Sequence, residues 1–175
     1  TRPTMRFVAI KTEEQQSGLM LHRTRQLFVR QRTTIINALR AHLAELGIIA
    51  GIGRNGLERL LDVIADDEDE RVPPTARDCL LALRVQLELV KQQILEADRR
   101  VLAWHRASEA SLRLDDIPGV GPLIASALVA SVPDPHAFKS GRDLSAWIGL
   151  VPKQNSTGGK ERLGHISKAR NRYLR

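Results

Sequence analysis

Asn155-Ser156-Thr157-Gly158-Gly159-Lys160-Glu161-Arg162 places two hydroxyls directly before paired glycines and beside two cations. Gly158 and Gly159 let backbone N–H groups converge on an anion. Lys160 and Arg162 add charge that favours a phosphate. A hydroxyl in that setting can attack a phosphodiester to give a phosphoserine ester, with the cations stabilising the transition state. It can equally hydrogen-bond a phosphate or cap a turn. The spacing identifies no general base, although His165 lies close in sequence. Upstream, Ile117-Pro118-Gly119-Val120-Gly121-Pro122 suggests a second phosphate contact. Gly119 and Gly121 permit a tight turn and the close approach of another backbone. Pro122 suits the first position of a helix whose free N–H groups would hold a phosphate without reading a base. That makes Gly119, Val120 and Gly121 candidate contacts, with a plain packing joint as the alternative. Ser167-Lys168-Ala169-Arg170-Asn171-Arg172 opens a basic helix, so Lys168, Arg170 and Arg172 join them.

The charge is distributed to match. The net charge is +7, and from His136 to Arg175 nine Lys or Arg stand against two acids, while residues 1–135 balance. A basic excess confined to one end is the footprint of a polyanion partner. No apolar run approaches membrane-spanning length, and no signal-peptide core is present. The single cysteine, Cys79, cannot form an internal disulfide or a multi-cysteine metal site, and lies in an apolar helical run as an expected core residue. These features fit a cytoplasmic setting. The chain begins without Met and stops inside a basic run, and reads as part of something longer.

The elements that must position these groups are helical. Only six residues are Phe, Trp or Tyr, against many Leu, Ile, Val and Ala, so the expected class is all-α. A helix pattern starts near Thr12, with Glu13 and Glu14 in its first turn. Its apolar stripe is Leu21, Phe28, Ile35, Leu39, Leu43 and Leu46, with Arg23, Arg25, Arg30, Arg32 and Arg40 expected on the opposite side. A glycine-rich loop follows Gly47, then a short amphipathic helix with Leu57, Leu60, Leu61 and Ile64. Asp66 to Glu70 is a run of acids. Lacking a glycine-spaced calcium loop, it is expected to be a mobile solvated connection, with no metal site. After Pro73-Pro74, Thr75 can cap a second long helix. Its seam, Leu80, Leu83, Leu87, Val90, Ile94, Ala97, Val101 and Trp104, alternates by three and four as in a coiled coil. The expected architecture is a long antiparallel helical hairpin over residues 1–111, with an acidic loop near 66–74. A small helical domain follows over 112–175, with the proline-glycine turn at 112–130 and the serine loop at 152–164. Ser140 to Leu150, containing Trp147, reads as a further helix. The hairpin pairs either within one chain or across a dimer.

Two resemblances extend this reading. Ile117, Pro118, Gly119, Val120, Gly121 and Ala125 resemble a helix-hairpin-helix motif. The strings 117–122, 147–152, 155–160, 162–164, 166–168 and 171–175, together with Thr1–Phe7 and Leu21–Arg25, resemble the Piv-like insertion-sequence transposases and site-specific DNA invertases. That family joins a RuvC-like domain to a serine-bearing transposase domain. The resemblance implies DNA cleavage and exchange, with Ser156 as nucleophile and Thr157 as the alternative. It further implies magnesium held by four carboxylates of the RuvC-like domain, a structured guide RNA, homodimers or tetramers, and a bacterial, nucleoid-associated setting. The four-carboxylate set does not occur in this chain. A non-catalytic helix-hairpin-helix module binding DNA or RNA, with a coiled-coil dimerisation arm, is the alternative, and a helical assembly protein without a nucleic-acid role is a third.

Overall fold

The computed structural model describes residues 9–167, 173 and 174. Among them are six helices and one two-stranded sheet, so the protein is mostly α-helical. The order is α1 (Glu13–Glu45), α2 (Arg54–Ala65), α3 (Pro74–Ala107), α4 (Glu109–Asp115), α5 (Pro122–Ser131), α6 (Gly141–Ile148), β1 (Pro152–Gln154) and β2 (Leu163–Ile166), with a 3₁₀ turn at Pro135–Ala137.

Local chemistry sets the boundaries. Thr12 Oγ1 accepts from the Gln15 N–H at 3.2 Å, and Gln15 Oε1 accepts from the Thr12 N–H at 3.1 Å. This reciprocal capping box fixes the start of α1. α3 starts on Pro74, one residue before Thr75, the expected cap. The proline's fixed φ and missing N–H suit the first turn, and the Arg77 N–H bonds the Pro73 carbonyl at 2.9 Å.

The chain divides into two compact units, Met20–Val101 and Thr1–Leu19 with Leu102–Arg175. The first has a continuous core. Leu39 and Leu43 of α1, Leu60, Leu61 and Ile64 of α2, and Leu80 and Leu87 of α3 form one buried cluster. Each such side chain contributes roughly 1.5–3 kcal/mol on burial. Val90, Ile94, Ala97 and Val101 continue the buried side of α3. Arg25, early in α1, pairs with Asp98, late in α3, so these stretches of the two helices run past each other in opposite directions.

Several side chains differ from their expected placement. Arg25 is engaged with Asp98 rather than displayed to solvent. Arg40 donates to the carbonyls of Ala50, Gly51 and Gly53 at 3.0–3.3 Å, which ties the glycine-rich loop to α1. The acidic run is likewise organised by a buried arginine. Arg77 donates to the carbonyls of Val63 and Ile64 (both 3.2 Å), Asp66, Asp69 (2.7 Å) and Val72 (3.4 Å). It thereby satisfies the open carbonyls at the end of α2. Cys79 is exposed, because it falls one residue off the Leu80 seam.

The second unit is closed by its first residues. Gln15 Nε2 donates to the carbonyls of Val129 and Val132 at 3.2 and 3.1 Å, at the end of α5. A Cβ on buried Gly18 would lie 3.2 Å from the Trp104 ring and 3.3 Å from the Ala130 Cβ. The start of α1 therefore belongs with the C-terminal part, whose compact unit takes in the chain from Leu102 onward, before the expected boundary at residue 111. Ala127, Ile148 and Leu174 form a small buried cluster with Leu128, Leu144, Trp147 and Tyr173 against it. Phe138 meets Trp147 edge-on, with ring centroids 5.7 Å apart.

This packing is testable at a glycine and at a histidine. A Cβ at Gly56 would sit 1.8 Å from the Gly51 carbonyl oxygen. Gly56→Ala is therefore expected to lower stability by more than about 1 kcal/mol, although alanine is the better helix former by about that amount; urea denaturation measures it. Burial, aided by the Arg25 charge, lowers the His22 pKa from 6.5 to about 4. The unfolded chain therefore takes up this proton first as pH falls. Stability is retained above pH 6.5 and declines from there to about pH 4, by roughly 3 kcal/mol in all. In His22→Gln, that part of the pH–stability slope is expected to vanish.

Candidate nucleic-acid interface

The serine loop is the tip of a β-hairpin. β1 and β2 pair antiparallel, with Pro152 opposite Ile166 and Gln154 opposite Leu163. The register shift between these pairs leaves Lys153 facing two residues, Gly164 and His165, as a β-bulge. The Asn155 N–H bonds the Arg162 carbonyl at 2.8 Å, and the Lys160 N–H bonds the Thr157 carbonyl at 3.1 Å. Between them, Gly158 and Gly159 have φ of 56° and 75°. Two successive positive φ values are what a two-residue turn of type I′ requires, and glycine supplies them without steric cost. The paired glycines thus reverse the chain, and the Lys160 N–H is spent inside that turn.

Ser156 is half-buried, and its Oγ accepts the Arg162 N–H at 3.1 Å. No imidazole or carboxylate hydrogen-bonds Ser156 among the described residues. Thr157, Gly158, Gly159, Lys160 and Arg162 are exposed around it. The hairpin therefore gathers both candidate hydroxyls with two of the candidate cations.

Gly119, Val120 and Gly121 lie on a different element, the turn between the mutually packed α4 and α5. Gly119 has φ 87°. Gly121 is extended and caps α5, its carbonyl accepting from Ile124 (2.9 Å) and Ala125 (3.0 Å). The Val120 N–H is spent on the Ile117 carbonyl at 2.9 Å, so it is not offered outward. The outward donors are those at the open start of α5, the Gly121 and Leu123 N–H groups. A Cβ at Gly119 or Gly121 would meet nothing within 4 Å, so the approach is open. Lys168, Arg170 and Arg172 lie outside the described residues.

Some cations of the helices are paired with a nearby acid, as in Arg54–Glu58, Lys91–Glu88, Arg100–Glu96 and Arg113–Glu109, while others, such as Arg23, Arg30, Arg32 and Arg59, are in no ion pair among the described residues. Among the described residues, Lys139, Arg142, Lys153, Lys160 and Arg162 are in no ion pair. No group of three or more His, Cys, Asp or Glu among the described residues could hold a metal. In the acidic run, the Arg71 hydrogen bond lowers the Asp69 pKa to about 2 and occupies that carboxylate.

One further constellation has no counterpart in the sequence pattern. His105 Nδ1 lies 2.8 Å from Ser111 Oγ, and His105 Nε2 lies 3.6 Å from an Asp115 oxygen. These are the residue types of a hydrolytic triad, but Ser111 is 0% exposed and His105 only 4%. Without access to substrate the group is a joint. It ties the end of α3 to α4, beside Ser108, which caps α4 through the Ser111 N–H. The Ser-x-x-Ser spacing is visible in the sequence, but the partner histidine precedes it on another helix.

Residues 111–175 match the family described as Transposase IS116/IS110/IS902 family. The whole chain is 46% identical over 175 residues to a Sinorhizobium fredii protein named as a transposase, y4pF/y4sB, covering 45% of that protein. It is 38% identical to the Yersinia enterocolitica transposase for insertion sequence element IS1328 over all of this chain and 52% of the relative. Against the Coxiella burnetii transposase for insertion sequence element IS1111A the identity is 39%, over all of this chain and 48% of the relative. The chain spans about half the length of these curated relatives. No solved structure matches it. No helix among the described residues is long and apolar enough to cross a membrane.

The buried joint generates its own prediction. Ser111→Ala strands a polar His105 nitrogen, and is expected to cost about 1–3 kcal/mol in thermal or chemical unfolding. A fluorophosphonate probe is expected to leave Ser111 unlabelled in the folded chain.

Proposed function

We propose, from the place of residues 111–175 in the IS116/IS110/IS902 transposase family, that this chain is the helical linker and part of the C-terminal domain of an insertion-sequence transposase. In this reading the hairpin meets the DNA backbone and Ser156 is the nucleophile. The observation that carries it is the hairpin tip. There Ser156 Oγ, fixed by the Arg162 N–H, stands with exposed Lys160 and Arg162, neither of them in an ion pair among the described residues. In the step proposed, Ser156 Oγ bonds to the phosphorus, its proton passes to a base outside the described residues, and the displaced sugar oxygen departs with the bond pair. Lys160 and Arg162 offset the charge that builds on the phosphoryl oxygens. The start of α5 would hold a second backbone phosphate in the manner of a helix-hairpin-helix motif.

The rest of the reading concerns the longer protein. A RuvC-like domain would supply magnesium and its carboxylates, a structured RNA would select the sites, and the subunits would act as dimers or tetramers. A second reading, a non-catalytic DNA- or RNA-binding module with a dimerising arm, is favoured by the lack of a base on Ser156 among the described residues. A helical assembly role without nucleic acid leaves the unneutralised cations unexplained.

Salt titration tests the interface. Removing one phosphate-binding cation is expected to reduce the slope of log affinity against log salt by about 0.9 on duplex DNA. Lys160→Ala with Arg162→Ala should therefore lower it by about 2, and an unchanged slope would remove the hairpin from the interface. For chemistry, Ser156→Ala in the longer protein is expected to abolish strand cleavage while leaving binding intact, with Thr157→Val still active. The opposite pattern would move the nucleophile to Thr157, and cleavage by both variants would favour the second reading.

A further inference from the structure

We infer that the hairpin Pro152–Ile166 is a wedge, a β-ribbon that enters the minor groove of duplex DNA and pushes Leu163 between base pairs. The inference rests on the DNA-binding reading above and adds a mode of contact to it.

The register divides the ribbon into two unlike faces. Pro152 pairs with Ile166 and Gln154 with Leu163, so these four residues share one face, and Lys153 lies on the other beside the bulge. Three of the four on the first face are apolar. All the strand residues are exposed, and Leu163 is 67% and Ile166 40% accessible. A lone two-stranded ribbon is marginal in water, and an apolar face left on it invites a partner. Charge selects that partner. Lys153 on the opposite face, and Lys160 and Arg162 at the turn end of the ribbon, are in no ion pair among the described residues, against one acid, Glu161. A second copy of the ribbon would bring like charges together, whereas a polyanion would be drawn in. Arginine is attracted to a narrow minor groove, and leucine, isoleucine and proline are residues that unstack base steps there. Here Arg162 directly precedes Leu163. The same Arg162 donates its N–H to Ser156 Oγ at 3.1 Å. A wedge at Leu163 would therefore kink the duplex one residue from the group that positions the nucleophile.

The test uses the 175-residue chain and duplexes carrying 2-aminopurine, with donor and acceptor dyes at the ends. Wild type is expected to raise 2-aminopurine fluorescence and shorten the end-to-end distance on binding. Leu163→Ala should lose most of both signals while the slope of its binding against salt and its thermal midpoint stay at the wild-type values, since the side chain is uncharged and exposed. Binding by wild type without unstacking, or full signals from Leu163→Ala, would overturn the wedge and leave the DNA-binding reading standing. Absence of salt-dependent binding would instead sink that reading, and the wedge with it. Self-association of the free chain that disappears in Leu163→Ala would overturn the wedge in favour of a ribbon-to-ribbon contact.

Discussion

The functional end of this protein depends on one backbone constraint, the reversal at Gly158–Gly159, where two successive residues hold positive φ. Few other residue pairs take that conformation cheaply. Once the chain turns there, Asn155 and Arg162 come opposite each other and the Arg162 N–H falls on Ser156 Oγ. The same turn places Lys160 and Arg162 at the tip and decides which side chains share a face. A hydroxyl on a mobile loop would need ordering before it could attack anything. On a closed hairpin much of that entropy is already given up in folding.

The hairpin is carried by a unit assembled from both ends of the described chain. Gln15 links these ends twice, once by capping α1 and once by closing the carbonyls of α5. The His105–Ser111 bond then fixes where α3 hands over to α4, and so where the Gly119–Gly121 turn begins. Buried polar groups of this kind are costly unless fully paired, which makes them specific joints. The long helices carry a different load. Their core is Leu, Ile and Val, and apart from the Arg25–Asp98 pair their arginine and lysine ion pairs among the described residues lie within one helix. The match to transposases runs through both parts.

Some of this is legible in the sequence and some is not, for identifiable reasons. The Leu80 to Val101 seam is readable because α3 keeps one strict apolar repeat, and it is the buried side of the helix. α6 is readable from Ser140, which accepts the Asp143 N–H, and from Gly149, which ends it in a left-handed conformation. The hairpin looks like a loop in the sequence because its strands are three and four residues long, contain Pro152 and Gly164, and show no alternation. Its one signal is the glycine pair, which serves a type I′ turn as well as an anion site. Arg40 and Arg77 are hidden for a different reason. Their guanidinium groups bond main-chain carbonyls, and composition says nothing of those. Cys79 is exposed against expectation because an apolar run fixes a helix but not which side of it faces inward.

The central claim, that the tip of this hairpin presents Ser156 for attack on a DNA phosphate, is tested most directly by locating the covalent bond. The protein containing this segment would be trapped with cleaved DNA, digested, and the nucleotide-bearing peptide sequenced by mass spectrometry. The account predicts a nucleotide on Ser156, within the peptide between Lys153 and Lys160. A nucleotide on any other residue, or cleavage that leaves no adduct at all, would contradict it.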